Sequence, residues 1–303
     1  MLYQVIFWNP DPVLFELGPL TIRWYGLLFA AGFFLAYIVI RRIFRNEGIS
    51  DKVLDRLTIY MVVATVVGAR LGHTFFYEPE YYFRNPFEIL KIWRGGLASH
   101  GAAFGILIAL WLFAKKERKP YIWILDRVVI VIALAGACVR FGNLMNSEIY
   151  GVETSLPWAF VFLRDMPGIL SSQEALEFMK LDGAPLAQLN RWGFVVVPDS
   201  PFMGKHPTQI YEALAYLALF ALLMFIYWRK KGKVIPGLIF SIFLVVLFSA
   251  RFLIEFIKED QVAFEATMRL NMGQWLSVPF ILAGGIMVVK LLMKAAANKR
   301  EIE

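Results

Sequence analysis

The sequence predicts an all-α polytopic membrane protein, and three observations carry that prediction. Hydrophobic residues make up 59% of the 303 and charged residues only 18%, whereas an ordinary soluble domain is about 25% charged. The apolar residues gather into runs of about 17 or more, the length that spans a hydrocarbon core. The basic residues collect in alternate connections between those runs. A net charge of +7 is what the basic loops of a membrane protein produce, so it implies no nucleic-acid partner.

The apolar runs define about seven transmembrane helices. They are Trp24–Ile40, Leu57–Tyr77, Leu97–Ala114, Val128–Met145, Thr208–Trp228, Val234–Ile257 and Met272–Leu292. Between the fourth and fifth, the polar, Pro- and Gly-containing stretch Glu148–Lys205 is too long for a tight connection and reads as a small extramembrane head. Strand-like runs at Ala159–Leu163 and Phe194–Val197 give that head some order. The chain thus divides into helices 1 to 4 (1–147), the head (148–205) and helices 5 to 7 (206–303), all one membrane domain. No internal repeat or low-complexity tract is present.

Charge orients the bundle. Eighteen of the 31 Lys and Arg residues fall in one set of short connections, around 41–56, 115–127, 229–233 and 290–300. By the positive-inside tendency this set is cytoplasmic, which puts the N-terminus and the head outside and the C-terminus inside. No basic residue occurs in the first twenty, so no cleavable signal with a positive leading segment is expected. The single cysteine, Cys138, lies in an apolar run and reads as a small core residue.

With direction fixed, each polar residue inside a span gains a depth. Arg23 and Tyr25 open the first span, Arg70 and His73 close the second, and His100 lies one turn into the third. Arg140 and Asn143 close the fourth, Gln209 and Glu212 open the fifth, and Arg251 and Glu255 close the sixth. All lie at outer-leaflet depth. Ionised groups within a span cost roughly 2.5–3.5 kcal/mol each on the lenient insertion scale, so they must be paired, snorkel to the interface or serve a function. Arg251 and Glu255, four residues apart, suit a plain ion pair. Arg140, Asn143 and Asn146 form a polar stripe, with glycines at 136, 142 and 151 allowing close approach. Two arginines seeking a partner at this depth suggest an anion, since guanidinium binds phosphate through a planar fork. The simplest anion there is a phospholipid head group.

His100 sits in the glycine-framed loop Arg94-Gly95-Gly96-Leu97-Ala98-Ser99-His100-Gly101. A histidine there suits either a base or a hydrogen-bonding group between helices. The three histidines, His73, His100 and His206, lack the spacing and carboxylate company of a metal site, so neither metal nor cofactor is expected.

The segment Arg140-Phe141-Gly142-Asn143-Leu144-Met145-Asn146-Ser147-Glu148-Ile149-Tyr150-Gly151 closely resembles the signature of bacterial prolipoprotein diacylglyceryl transferases. Further matches follow in the family's order: Arg23-Trp24-Tyr25-Gly26, the His100 loop, Leu156-Pro157-Trp158-Ala159, His206-Pro207-Thr208-Gln209-Ile210-Tyr211-Glu212-Ala213, Arg251-Phe252-Leu253-Ile254-Glu255 and Met272-Gly273-Gln274-Trp275-Leu276-Ser277. The resemblance implies an inner-membrane enzyme working toward the outer leaflet. Its lipid partner would be phosphatidylglycerol, and its protein partner a preprolipoprotein signal peptide bearing a lipobox cysteine. The diacylglyceryl group would pass to that thiol, forming a thioether and releasing glycerol 1-phosphate. The resemblance also marks Tyr25, His100, Arg140, Asn143, Asn146, Glu148, Gly151 and Arg251 as functional positions, and its motifs include Glu255 and His206. Val139, Ala102 and Lys205 depart from the usual pattern, as does the head between Arg164 and Met203.

In this reading Arg140, Arg251, His100 and Glu148 do the chemistry. Tyr25, Asn143, Asn146, Gly151, Glu255 and His206 hold substrate. A transporter is the rival from another class, but repeat symmetry and midplane polar groups are missing. An intramembrane protease or another phospholipid head-group enzyme would need motifs that the chain lacks.

Overall fold

Long apolar runs dictate helices because a backbone in lipid must satisfy its own N–H and C=O groups. The computed structural model describes residues 6–18, 20–92, 95–165, 204–259, 265 and 268–300. Its helices are α1 (Trp24–Asn46), α2 (Asp51–Phe76), the short α3 (Pro79–Arg84), α4 (Ser99–Lys116), α5 (Tyr121–Met145), α6 (Thr208–Arg229), α7 (Leu238–Ile254) and α8 (Met272–Arg300). Among the described residues six helices are long and apolar enough to cross a membrane: α1, α2, α5, α6, α7 with its 3-10 extension, and α8. The expected third span is the 18-residue α4, closed by His100 at one end and by Lys115 and Lys116 at the other. Large apolar side chains such as Phe34, Ile59, Phe104, Ile108 and Met293 stand more than half exposed. Lipid accounts for them. The protein is a multi-pass, mostly helical membrane protein.

The helices outrun the apolar runs that announce them. The first was expected to end at Ile40, but α1 continues through Arg41, Arg42 and Arg45 to Asn46, because helical hydrogen bonding persists after the side chains turn polar. The N-terminal segment differs more. Strand β1 (Ile6–Trp8) pairs in parallel with β4 (Phe160–Phe162), and β2 (Val13–Leu17) forms a hairpin with β3 (Leu20–Arg23) that runs straight into α1. Of the two strand-like runs expected in the head, the first is β4; Phe194–Val197 lies outside the described residues.

The chain forms two units. The first comprises 1–33, 133–220 and 244–283. In it, Leu144, Phe160 and Phe162 form a core against Trp8, Phe141, Tyr150 and Ile210. The Trp8 indole donates to the Leu144 carbonyl at 2.8 Å, satisfying one of the carbonyls left open at the end of α5.

The second unit comprises 34–132, 221–243 and 284–303. Here α2 and α4 meet backbone to backbone: a Cβ on Gly68 would lie 2.6 Å from the Gly101 carbonyl, and one on Gly72 would lie 2.6 Å from Gly101 Cα. Small residues permit this contact, which van der Waals packing rewards in lipid. Buried Asp126 accepts the Gly237 and Phe240 amides at 2.7 and 2.8 Å, capping α7 from another helix and matching its positive end. Glu47 gathers Arg127, Trp123 and Tyr227 into one polar knot.

Candidate active site

The end of α5 builds the first part of the site. Arg140 sits in its final turns, 13% exposed, with Nε 2.7 Å from Oε2 of Glu212, which has no exposed surface. Its Nη1 donates to Asn143 Oδ1 at 3.2 Å. Asn143 Nδ2 then donates to Glu148 Oε1 at 2.8 Å, where Asn146 Nδ2 also donates at 3.1 Å. The helix ends at Met145, so Asn146 belongs to the following turn. The expected single helical stripe is therefore half helix and half turn. Two left-handed residues, Ser147 (φ 55°) and Ile149 (φ 61°), fold the turn back. For a β-branched residue this conformation is costly, and such strain persists where the surroundings enforce it.

Those surroundings are visible. Gln209 Nε2 donates to the Glu148 carbonyl at 2.7 Å and Thr208 Oγ1 to the Ile149 carbonyl at 2.8 Å, both from the first turn of α6. Gly151 N donates to the His206 carbonyl at 2.8 Å, and Val152 N to Ile257 O at 3.0 Å. A Cβ on Gly151 would run into the Ile257 carbonyl and lie 2.7 Å from both His206 Cβ and Thr208 Cγ2. Only glycine fits there.

Charge continues beyond Glu212. Lys258, 5% exposed, places Nζ 3.6 Å from Glu212 Oε1 and 3.5 Å from Glu255 Oε2. Arg140, Glu212, Lys258 and Glu255 thus alternate in sign along a buried ladder. Arg251 lies within the fields of the Tyr216 hydroxyl, Glu212 and Glu255. The simple Arg251–Glu255 pairing suggested by their spacing gives way to this arrangement, because Lys258 takes Glu255. Tyr25 packs on α5, where a Cβ on Gly142 would lie 2.9 Å from its ring. His206 precedes α6, and its Nδ1 lies 3.3 Å from the Tyr211 hydroxyl, which also receives the Trp158 indole N–H at 2.8 Å. Burial pushes the His206 imidazole below its usual value, which favours the neutral ring.

His100 belongs to the second unit. Its exposed ring stacks on Tyr77 at 5.7 Å and meets Phe76 edge-on at 5.7 Å. The loop before it turns through Gly95 (φ 84°) and Gly96 (φ 72°). Buried Arg70 ties this loop down, donating to the carbonyls of Glu88, Ile89 (2.8 Å), Gly95 (2.6 Å) and Gly96 (3.2 Å). Arg70 is thus a backbone clamp. His73 packs between Tyr77 and Tyr82 rings.

Chemically, the first unit offers an arginine whose direction is fixed on two sides, by a buried carboxylate and by an amide. That is the form of a binding group for an anionic oxygen. Among the described residues no three His, Cys, Asp or Glu side chains are grouped to hold a metal ion.

The family model of prolipoprotein diacylglyceryl transferase matches residues 12–290. The chain belongs to the prolipoprotein diacylglyceryl transferase family. Three relatives, each named phosphatidylglycerol–prolipoprotein diacylglyceryl transferase, cover nearly its whole length. The one from Tolumonas auensis is 43% identical, spanning 98% of this chain and 100% of its own. That from Porphyromonas gingivalis is 42% identical, spanning 97% of each. That from Chloroherpeton thalassium is 37% identical, again spanning 97% of each.

Within this family member, the structure brings together Arg140, Asn143, Asn146 and Glu148, and sets Gly151 against His206. Sequence reasoning missed Lys258 and Tyr216, and it named Glu212 without its partners. The signals were modest: Lys258 follows Glu255 by three residues at the end of an apolar run, and Tyr216 follows Glu212 by four on one helical face.

Proposed function

We propose that this transferase moves the diacylglyceryl group of phosphatidylglycerol onto the lipobox cysteine thiol of preprolipoproteins. The near full-length identity to relatives named for this reaction carries the reading. The substrate thiol loses its proton, sulfur attacks the phosphate-bearing glycerol carbon, and that C–O bond breaks. A thioether forms and glycerol 1-phosphate departs. Thiols react as thiolates, so a base or a positive field helps the attack. Charge grows on the leaving phosphate, where preorganised donors lower the barrier.

In this scheme Arg140 and Arg251 hold the phosphate. Asn143, Asn146 and Glu148 aim Arg140, while Tyr25, Gly151, Glu255 and His206 shape the substrate's seat. His100 either activates the thiol or holds head-group oxygens. The enzyme would cross a bacterial inner membrane seven times, with the N-terminus, head and active site toward the outer leaflet; the 18 basic residues of the other connections support that orientation.

Purified protein given phosphatidylglycerol and a lipobox peptide should add the diacylglyceryl mass to the peptide thiol. An unmodified peptide in the presence of folded protein would overturn the reading. For orientation, Glu16→Cys in a Cys138→Ala background should react with an impermeant thiol reagent in cells whose inner membrane is intact. Reaction only after lysis would reverse it.

A further inference from the structure

Helix α1 carries Tyr25 in its first turn, but its C-terminal turns carry a second feature that the transfer reaction does not use. Tyr37, Ile38, Arg41, Arg42 and Arg45 line a cavity of about 290 Å³. Arg41 and Arg45 share Asp51, with Nη2 of each at 2.8 and 3.0 Å from one carboxylate oxygen. The Tyr37 hydroxyl donates to Asp55 at 3.2 Å. The Arg42 guanidinium rests over the Trp228 ring at 5.5 Å. One carboxylate, Asp51, therefore answers two of the three guanidinium groups, and the third, Arg42, makes no ion pair among the described residues. The Arg41 Nε–H, moreover, is buried without an acceptor among the described residues.

The wall on the membrane side is apolar. Ile38 is 48% exposed and Phe34, four residues earlier, 65%. At helical spacing, Phe34, Ile38, Arg41 and Arg45 follow one another on one face. This stripe passes from hydrocarbon to cation over about three turns, as a lipid passes from acyl chain to phosphate. A free anion would have no use for the apolar part.

We propose that this pocket binds an anionic phospholipid through its phosphodiester, with an acyl chain laid along Ile38 and Phe34. Guanidinium forks suit phosphate oxygens, and basic clusters at the end of a membrane helix attract anionic lipid. In the proposed orientation the lipid belongs to the cytoplasmic leaflet, away from the reaction.

The test uses the full chain in detergent and reads thermal unfolding with added phosphatidylserine, phosphatidylcholine or inorganic phosphate. Phosphatidylserine should raise the midpoint by roughly 2–4 °C, and neither phosphatidylcholine nor phosphate should match it. Arg42→Gln/Arg45→Gln, which leaves the Arg41–Asp51 pair in place, should lose the shift. Arg140→Lys should keep it, which separates this pocket from the active site. If the double variant fails to fold, Arg42→Gln alone decides, since Arg42 makes no ion pair among the described residues. An equal shift in wild type and variant, or an equal shift with phosphatidylcholine or phosphate, overturns the proposal.

Discussion

Arg140 and Glu212 face each other at 2.7 Å, with the carboxylate wholly buried and the guanidinium 13% exposed. A buried carboxylate this close to Nε fixes the arginine and balances it, while Nη1 donates to Asn143. Lysine at 140 would keep the charge opposite Glu212 yet could not also reach Asn143 in the same planar fork. Arg140→Lys should therefore fold and insert, while turnover at saturating lipid falls about 10²–10³-fold. Glu212→Gln should act on the fold instead. It leaves Arg140 and Lys258 sharing too little negative charge in a buried site, at about 3–5 kcal/mol. Thermal unfolding in detergent and transfer rate, measured on both variants, separate the two effects. A normal rate in Arg140→Lys would return this arginine to a structural role.

Gly151 has no room for a side chain. Gly151→Ala must displace the Ile257 carbonyl or the 206–208 segment, and overpacking of this kind costs about 1–3 kcal/mol. Gly26→Ala is the control, since a Cβ there meets nothing within 4 Å and alanine suits a helix better. We expect a clear fall in melting temperature for the first and none for the second. Equal melting temperatures would show that the 151 segment adapts freely.

The two histidines of the second unit should separate stability from rate. His73 is enclosed by Tyr77, Tyr82 and Gly96, so His73→Gln should lower the melting temperature and leave turnover of the folded enzyme mild in its loss. His100 is exposed, so His100→Gln should melt normally and be severely impaired. Rescue of His100→Gln by raised pH points to thiol activation, because hydroxide then supplies the thiolate. Failure of rescue assigns the ring to head-group oxygens. Normal turnover in His100→Gln removes it from the site.

Most of the helical framework was legible because lipid leaves the backbone one local solution, and Trp24, Thr208 and Met272 begin their helices where hydropathy places them. The β1–β4 pairing was not legible. It joins Ile6 to Phe160 across more than 150 residues, and no local pattern announces a partner so distant. The site divides in the same way. Arg140 and Asn143 are helical neighbours that a 3.6-residue period reveals, whereas Asn146 and Glu148 meet across left-handed backbone at Ser147, which is not glycine. Arg140 could be seen to need a counterion, but the choice of Glu212, and of Lys258 for Glu255, depended on packing between helices.

Glu148 Oε1 accepts from both Asn143 and Asn146, and Asn143 accepts from Arg140. If this chain of hydrogen bonds aims the guanidinium, its members act as a unit and their losses do not add. Asn143→Ala breaks the link next to Arg140. Glu148→Gln weakens the far end, replacing a charge-assisted acceptor with a neutral one. Each alone should slow transfer, Asn143→Ala more than Glu148→Gln, with little loss of stability for the exposed Glu148. The double variant should be no slower than Asn143→Ala by itself, because once the link at 143 is gone the state of Glu148 no longer reaches Arg140. Asn146→Ala should be the mildest, since among the described residues its amide hydrogen-bonds only Glu148. Transfer rates for the four proteins and the wild type complete the cycle. Multiplying losses in the double variant would mean that Glu148 acts on substrate independently, for instance through the glycerol hydroxyls, and would end its assignment as the residue that aims Arg140.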